Sequence, residues 1–251
     1  MRIIISPAKK MRVVDDWMEP MGAPVCIEEA QRLWDILRGL NERELGRLFK
    51  ANSAITHENF LRLQECENVG GATPALLSYV GIQYQYMAPQ VFSKAQWEYV
   101  CAHLRILSGL YGILRPADGI APYRLEMQTK LAADGATDLY AFWGDRIYRE
   151  LTDGDGEILN LASKEYGRAV ERFLEPGVRF VTCVFAERGD GGRLKVKATE
   201  AKMARGEMVR YLAETGGECA AAARGFDRLG FSFAPELSDD ASYVFIKEKG
   251  K

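Results

Sequence analysis

The chain has 251 residues, which is enough for one large domain with a substantial core. Its composition, 47% hydrophobic and 27% charged, is typical of a globular protein. A net charge of −2 excludes a bulk electrostatic attraction to nucleic acid or to a membrane surface, so any nucleic-acid site must be a local basic patch. The five cysteines are scattered and no signal sequence is visible, which predicts reduced thiols and a cytoplasmic location. The apolar runs are too short to span a bilayer, so no membrane association is expected.

The first half of the chain predicts one buried strand followed by a helical subregion. Residues 2–6 form a β-branched run that ends at Ser-Pro, which favours a strand. Helical spacing begins at residue 27, and the helical subregion extends to about residue 100. Capping-box patterns predict helix starts at Asn41 and Ser93, and Thr56 is a further predicted N-cap.

The second half alternates predicted strands and helices. Strands are predicted at 104–107, 157–161, 178–186, 194–198 and 243–247, and helices after Thr137 or Asp138, near Ser163 and at 200–214. The GDGG sequence at 189–192 predicts a hairpin turn. The fold class is therefore α/β with some α+β character: a single domain over residues 1–251, with a mixed central sheet flanked by helices.

Residues 107–127, LSGLYGILRPADGIAPYRLEM, form the most informative segment. Glycines and prolines shape this backbone tightly, and Arg115, Tyr123, Arg124 and Glu126 are set among apolar neighbours. Arginine side chains suit phosphate or carboxylate, which predicts an anion site. The alternative is a structural loop held by internal ion pairs of the arginines with Asp118 or Glu126. The LSGLYG run is also loosely similar to the hairpin of a helix-hairpin-helix DNA-binding element.

Polar residues follow two of the predicted strands. Ser6 and Lys9 come after the first strand with the Ser-x-x-Lys spacing of some serine acyl-enzymes, and Asn160 ends a later strand. Open α/β sheets bind ligands at the carboxyl ends of their strands, so a ligand site is expected there. The alternative is a turn serine beside a solvated Lys9–Lys10 pair.

Two further features sit on predicted helices. Asp145 is either a catalytic carboxylate or an ion-pair partner of a nearby arginine, and Gly144 before it indicates either close packing or close approach of a ligand. Lys202 and Arg205 share one helix face, which is either solvated or phosphate-binding. The chain has two histidines and no recognisable metal-ligand pattern, so neither a metal site nor a cofactor is predicted.

Five motifs together resemble the YaaA family of bacterial peroxide-stress proteins. They are ISPAK at 5–9, the 107–127 segment, DLYAFWGD at 138–145, NLASKEY at 160–166 and AKMARGEM at 201–208. The resemblance implies one unusual α/β fold with a basic cleft that binds DNA. It also implies a cytosolic protein that limits unincorporated iron and oxidative damage during peroxide stress. Glu200 and Met203 replace a tyrosine and a lysine that are common in the family.

Two hypotheses remain open, and the sequence leaves undecided whether the protein is an enzyme. In the first, a DNA-binding stress protein uses a basic cleft. In the second, an enzyme acts on a phosphorylated or nucleotide-like small molecule, so that a small anionic ligand is its partner. The candidate catalytic residues are Ser6, Lys9, Glu126 and Asp145. The candidate binding residues are Lys9, Lys10, Arg115, Tyr123, Arg124, Asn160, Lys202 and Arg205. Direct iron sequestration has no supporting cluster of histidines and carboxylates.

Overall fold

A computed structural model of the protein describes residues 1–14, 18–66, 68–152, 156–189 and 193–247. It confirms the mixed α/β fold. The strands are β1 (Arg2–Ile5), β2 (Lys10–Met11), β3 (Gly70–Pro74), β4 (Tyr79–Val80), β5 (Leu104–Ser108), β6 (Gly112–Leu114), β7 (Gly119–Ile120), β8 (Glu157–Asn160), β9 (Arg179–Arg188), β10 (Leu194–Lys195), β11 (Phe231–Phe233) and β12 (Ser242–Lys247).

An eight-stranded sheet forms the centre of the fold. Its order is β11-β12-β9-β8-β1-β5-β6, and β10 pairs with β9 off this path. The five strands from β12 to β5 are parallel, whereas β6, β10 and β11 are antiparallel to their neighbours. β1 lies between β5 and β8 and is buried from Ile3 to Ile5, as its run of β-branched residues predicts. The carboxyl ends of β1, β5 and β8 therefore meet at one edge of the sheet.

Ten α-helices surround this sheet in the described part of the chain. They are α1 (Ile27–Arg38), α2 (Glu42–Phe49), α3 (Ser53–Glu65), α4 (Ala75–Ser78), α5 (Ile82–Met87), α6 (Lys94–His103), α7 (Leu139–Trp143), α8 (Arg146–Leu151), α9 (Lys164–Glu171) and α10 (Ala198–Thr215). Short 3-10 helices lie at Pro89–Val91, Ala220–Gly225 and Pro235–Leu237. No described helix is long and apolar enough to cross a membrane.

The N-cap residues observed at three helix starts can be compared with the predicted ones. Both capping boxes are confirmed, with Asn41 accepting from the Glu44 amide and Ser93 from the Gln96 amide. Thr56 is not an N-cap, because α3 already begins at Ser53. The Thr56 hydroxyl lies inside the helix and donates to the Asn52 carbonyl. The cap of α3 is the side chain of Asn52, which accepts from the Ile55 amide.

The helix predicted after Asp138 is interrupted. Asp138 caps α7 as predicted, but Gly144 has φ of 50° and ends that helix, and α8 starts afresh at Arg146. Glycine adopts this left-handed conformation without the steric cost that a side chain would add. Gly144 is therefore a break between two helices and not a packing position inside one.

The 107–127 segment begins as a β-hairpin. β5 and β6 pair antiparallel around Gly109, Leu110 and Tyr111, and every residue from Leu107 to Leu114 is buried. A helix-hairpin-helix element would need a second helix and exposed glycine amides, and this run has neither. Of the predicted turn at 189–192, residues 190–192 lie outside the described residues. The strands beside it, β9 and β10, pair antiparallel as expected.

Candidate functional site

The carboxyl ends of β1 and β8 are joined by side chains. The Ser6 hydroxyl accepts a hydrogen bond from the Ser163 amide at 2.8 Å and lies 3.2 Å from the Ser163 hydroxyl. Ser163 precedes α9, but its side chain makes no capping hydrogen bond. Ser6 therefore lies where β1 and β8 end side by side, at the edge of the sheet where a ligand site is expected. Ser163 ties two strand ends together and does not cap its helix.

A pocket of about 500 Å³ opens beside these strand ends, and we call it the inner pocket. It brings together eight of the eleven residues predicted for the site, drawn from three distant parts of the chain. They are Ser6, Lys9, Lys10, Tyr123, Arg124, Glu126, Lys202 and Arg205. The remaining lining includes Gln83 and Tyr84 from α5 and Glu165 and Tyr166 from α9.

A wider cavity of about 1150 Å³ adjoins the inner pocket, and we call it the outer cleft. The two cavities share Lys9, Arg124, Glu126 and Glu165 in their walls. Their combined lining contains three glutamates, Glu44, Glu126 and Glu165, and ten basic residues. The basic residues are Lys9, Lys10, Arg47, Lys50, Arg124, Lys130, Lys164, Arg168, Lys202 and Arg205. A protein with a net charge of −2 thus concentrates positive charge along one continuous depression.

An ion-pair cluster separates the two cavities. The Lys9 ammonium lies 2.9 Å from one Glu126 oxygen, and the Arg124 guanidinium lies 3.4 Å from the other. The Lys9 side chain remains 65% exposed, whereas those of Arg124 and Glu126 are 12% and 19% exposed. The internal ion pair that was the alternative for the 107–127 segment is therefore present between Arg124 and Glu126. Lys9 adds a second cation, so this cluster carries a net positive charge.

Glu165 is the second carboxylate in the shared wall. Its side chain accepts a hydrogen bond from the Gln128 amide at 3.2 Å. Burial raises the pKa of the Glu165 carboxyl, the Gln128 hydrogen bond opposes that shift, and the negative charge of Glu126 adds to it. A carboxyl with a raised pKa in a cavity can exchange protons more readily than an ordinary surface glutamate.

The Tyr123 hydroxyl faces the protein interior. It lies 2.6 Å from the Ser108 hydroxyl at the end of β5 and 2.9 Å from the Tyr79 hydroxyl. Burial raises the pKa of Tyr123 to about 12, although its hydrogen bonds to Ser108 and Tyr79 oppose the shift. Tyr123 thus lines the inner pocket while its polar atom holds the 107–127 segment to the sheet.

Three buried donors at the inner pocket have no hydrogen-bond partner among the residues that the structure describes. They are Nε of Arg124, Nε of Arg205 and Nε2 of Gln83. The sequence indicated the two arginines, but it gave no reason to select Gln83. Gln83 lies on α5, a helix of only six residues. The sequence predicts a helical subregion here but does not indicate which residues face a cavity.

Three predicted residues lie outside both cavities. Asp145 precedes α8 and pairs with Arg149 at 2.5 Å, which is the ion-pair alternative named for it. Asn160 is buried and bonds the Thr182 hydroxyl and the Ala162 amide, so it links β8 to β9. Arg115 is exposed, and its amide donates to the Asp118 carboxylate at 2.8 Å.

The FWGD sequence at residues 142–145 packs against the 107–127 segment through Trp143. The Trp143 indole donates to the Gly109 carbonyl at 3.0 Å, and a side chain at Gly112 would overlap the Trp143 ring. The two long motifs therefore pack on each other, which holds the segment against the sheet. Among the described residues, no group of three or more His, Cys, Asp or Glu side chains could hold a metal ion.

The fold and the site define an α/β protein with a basic cleft at the carboxyl ends of its parallel strands. A sequence profile described as "Peroxide stress protein YaaA" matches residues 1–237. A UPF0246 protein of Desulfitobacterium hafniense is 49% identical over 247 residues, covering 98% of both chains. Relatives from Agathobacter rectalis and Pediococcus pentosaceus are 46% and 44% identical and cover 99% of both chains. The chain belongs to the YaaA (UPF0246) family of peroxide stress proteins.

Proposed function

We propose that this protein is a cytoplasmic peroxide-stress protein that binds DNA along the outer cleft and limits unincorporated iron and oxidative damage. The observation that carries the DNA-binding part is the excess of ten basic residues over three glutamates in the two adjoining cavities. Lysine and arginine neutralise backbone phosphates and release the counterions that the nucleic acid had condensed. The rest of the protein does not share this charge, since the whole chain is slightly acidic.

In the described part of the chain, no ion pair is formed by four of the seven basic residues of the outer cleft, Arg47, Lys50, Lys164 and Arg168, whereas Lys9, Arg124 and Lys130 each pair with a carboxylate. Lys50 and Arg47 come from α2 and its C-terminal end, Lys164 and Arg168 from α9, and Lys130 from the loop after the 107–127 segment. A surface built by separate elements along one depression suits an extended polyanion, because successive phosphates can meet successive side chains. The contacts would be to the backbone, which favours binding that depends little on base sequence.

DNA binding can be tested by the fluorescence anisotropy of labelled duplex and single-stranded DNA over a series of salt concentrations. Lys50→Glu and Lys202→Glu should weaken binding and reduce the slope of log affinity against log salt by about one per lost phosphate contact. The matched control is Lys94→Glu, which makes the same charge change on an exposed side chain outside both cavities. Equal affinities and slopes for all three variants would contradict the proposal.

The iron part of the proposal is supported by family membership and needs a cellular experiment. A bacterial strain lacking its own family member would be complemented with the wild type, Lys50→Glu or an empty vector. After a pulse of hydrogen peroxide, unincorporated iron would be measured by electron paramagnetic resonance of the chelated ferric form. The wild type should lower the signal relative to the vector. A wild type that leaves the signal unchanged would refute the iron-limiting role.

A further inference from the structure

The inner pocket contains more hydrogen-bond donors than the protein itself can satisfy. Within the described ranges of the chain, Nε2 of Gln83 and Nε of Arg124 and Arg205 are buried and have no partner, although a buried donor without an acceptor costs about 1–3 kcal/mol. Gln83 is only 7% exposed, so bulk water does not satisfy it easily. All three residues line the same cavity, which indicates that a ligand supplies the acceptors.

Arg205 also brings a charge that nothing in the described protein neutralises. It lies on α10, and no ion pair joins it to any described carboxylate. Burial lowers the pKa of its guanidinium, which reflects the cost of placing this cation away from water. Lys10 and Lys202 line the same pocket, so their charges add to that of Arg205. A ligand that compensates the desolvation of the Arg205 guanidinium must carry a negative charge.

The backbone is shaped to bring the donors together. An added Cβ at Gly206 would overlap the backbone oxygen of Gln83 and come within 3.0 Å of the Met87 amide nitrogen. α10 and α5 therefore cross in close contact at this glycine. The crossing places Arg205, the preceding residue of α10, beside the turn of α5 that carries Gln83.

We propose that the inner pocket binds a terminal phosphate group, a phosphomonoester, through Gln83, Arg124 and Arg205. Donors from two helices and from the 107–127 segment suit the several oxygens of a phosphate better than the two oxygens of a carboxylate. The volume of about 500 Å³ exceeds what a phosphate alone requires and accommodates a nucleotide-sized group. The phosphomonoester belongs either to a free nucleotide or to a 5′-phosphorylated DNA end in the outer cleft. Only the second source rests on the proposed function.

The test uses isothermal titration calorimetry of the full chain with inorganic phosphate and with dAMP. Gln83→Leu and Arg205→Met should each weaken binding of both probes by roughly tenfold or more, because each removes a donor to a charged group. Arg43→Met is the matched control for Arg205→Met, since it removes an exposed guanidinium of α2 that lines neither cavity. It should leave dAMP affinity unchanged.

The unfolding temperature shows whether Arg205 binds a ligand or only stabilises the fold. Because Arg205 carries an unpaired buried charge, Arg205→Met without ligand should unfold at a higher temperature than the wild type. Adding dAMP should raise the unfolding temperature of the wild type and not that of Arg205→Met. A variant that is both more stable and unable to bind supports the proposal. If Arg205→Met unfolds at a lower temperature and binds dAMP normally, Arg205 is a structural residue and the proposal fails.

Oligonucleotides with a 5′-phosphate or a 5′-hydroxyl identify the source of the phosphate. Tighter binding of the phosphorylated strand, lost in Gln83→Leu, supports a DNA end. Binding of dAMP with no preference for the phosphorylated strand supports a free nucleotide. If neither dAMP nor inorganic phosphate binds the wild type, the inference is overturned while DNA binding in the outer cleft still stands on the unphosphorylated duplex. If dAMP binds and unphosphorylated DNA does not, the inference stands and the proposed DNA binding fails.

Discussion

The ammonium nitrogen of Lys9 lies 2.9 Å from a carboxylate oxygen of Glu126, in the wall shared by the outer cleft and the inner pocket. The first residue ends the ISPAK motif after β1 and the second lies near the end of the 107–127 segment, so this pair joins two motifs that are far apart in the sequence. Glu126 also contacts Arg124, which means that one carboxylate restrains two cations facing the cavities. The charge available to a polyanion is therefore set by Glu126 as well as by the basic residues.

Substitution of Glu126 and of Lys9 should change DNA affinity in opposite directions. Glu126→Gln removes a repulsive charge and frees Lys9 and Arg124, so DNA should bind more tightly and with a steeper dependence on salt. Lys9→Gln should weaken binding and flatten that dependence by about one unit of slope. Both effects are measurable by fluorescence anisotropy over a salt series.

The control for this pair is Glu171→Gln, the same charge change on an exposed residue of α9 that lines neither cavity. It should alter affinity only slightly, because the charges are separated from the cleft and screened by salt. If Glu126→Gln binds DNA no more tightly than Glu171→Gln, Glu126 does not limit the charge of the cleft.

The crossing of α5 and α10 depends on Gly206. Gly206→Ala should destabilise the protein by about 1–3 kcal/mol, because the added methyl overlaps backbone atoms of Gln83 that cannot rotate away. Gly39→Ala is the matched control. Gly39 lies at the end of α1 with φ of −73°, and its added Cβ would meet the Ile36 oxygen at an ordinary 3.5 Å.

Urea denaturation measures both glycine variants. Gly39→Ala should be neutral or stabilising by about 0.4–1 kcal/mol, since alanine restricts the unfolded chain. Gly206→Ala with the stability of Gly39→Ala would show that the two helices separate at little cost. The close approach would then not be needed to position Gln83 and Arg205.

The position of Ser6 at the edge of the central sheet could be predicted from the sequence. Ser6 follows a buried β-branched run, and parallel strands end at one edge of a sheet, so convergence of polar residues there could be expected. Lys202 and Arg205 were identified because charge on one helix face is visible in the sequence. Such local patterns describe which face a residue occupies, but not which distant element that face meets.

The remainder of the site depends on tertiary packing. Gln83 carries no charge and lies on a helix too short for a periodic pattern, so nothing in the sequence separated it from a surface glutamine. Arg47 and Arg168 look like solvated residues of amphipathic helices, and only the fold places α2 and α9 across one cleft. Conversely, Asn160 follows the predicted strand as a ligand residue would, yet its side chain is used to join β8 to β9.

The hydroxyl network of Tyr123 predicts a stability effect separate from ligand binding. Tyr123→Phe leaves the buried Ser108 and Tyr79 hydroxyls without their shared partner, so the free energy of unfolding should fall by about 1–3 kcal/mol. The control is Tyr86→Phe on α5, a partly exposed tyrosine, where a change within about 0.5 kcal/mol is expected. Urea denaturation at neutral pH compares the two. Equal stability of both variants would mean that the Tyr123 network contributes no net free energy.

The burial of Asp118 should make the free energy of unfolding depend on pH. Its side chain is 4% exposed and accepts a hydrogen bond from the Arg115 amide. Burial raises the pKa of Asp118 from 3.8 to about 6, although the Arg115 hydrogen bond and the positive charges of Arg115 and Arg105 oppose the shift. The folded state therefore binds the proton more tightly than the unfolded state. The stabilisation from protonation is complete below pH 3.8 and is lost as the pH rises through about 6.

Asp118→Asn imitates the protonated carboxyl and should remove this dependence. The variant should match the wild type near pH 4 and become more stable than it toward pH 7, by roughly 3 kcal/mol for a shift of about two pKa units. Other carboxylates titrate in the same range, so the measured quantity is the difference in unfolding free energy between variant and wild type at each pH. Asp227→Asn, the same substitution on an exposed residue, is the matched control. If the Asp118→Asn difference varies with pH no more than the Asp227→Asn difference, the buried carboxylate is not destabilised in the folded protein, and the Arg105 and Arg115 charges compensate its burial in full.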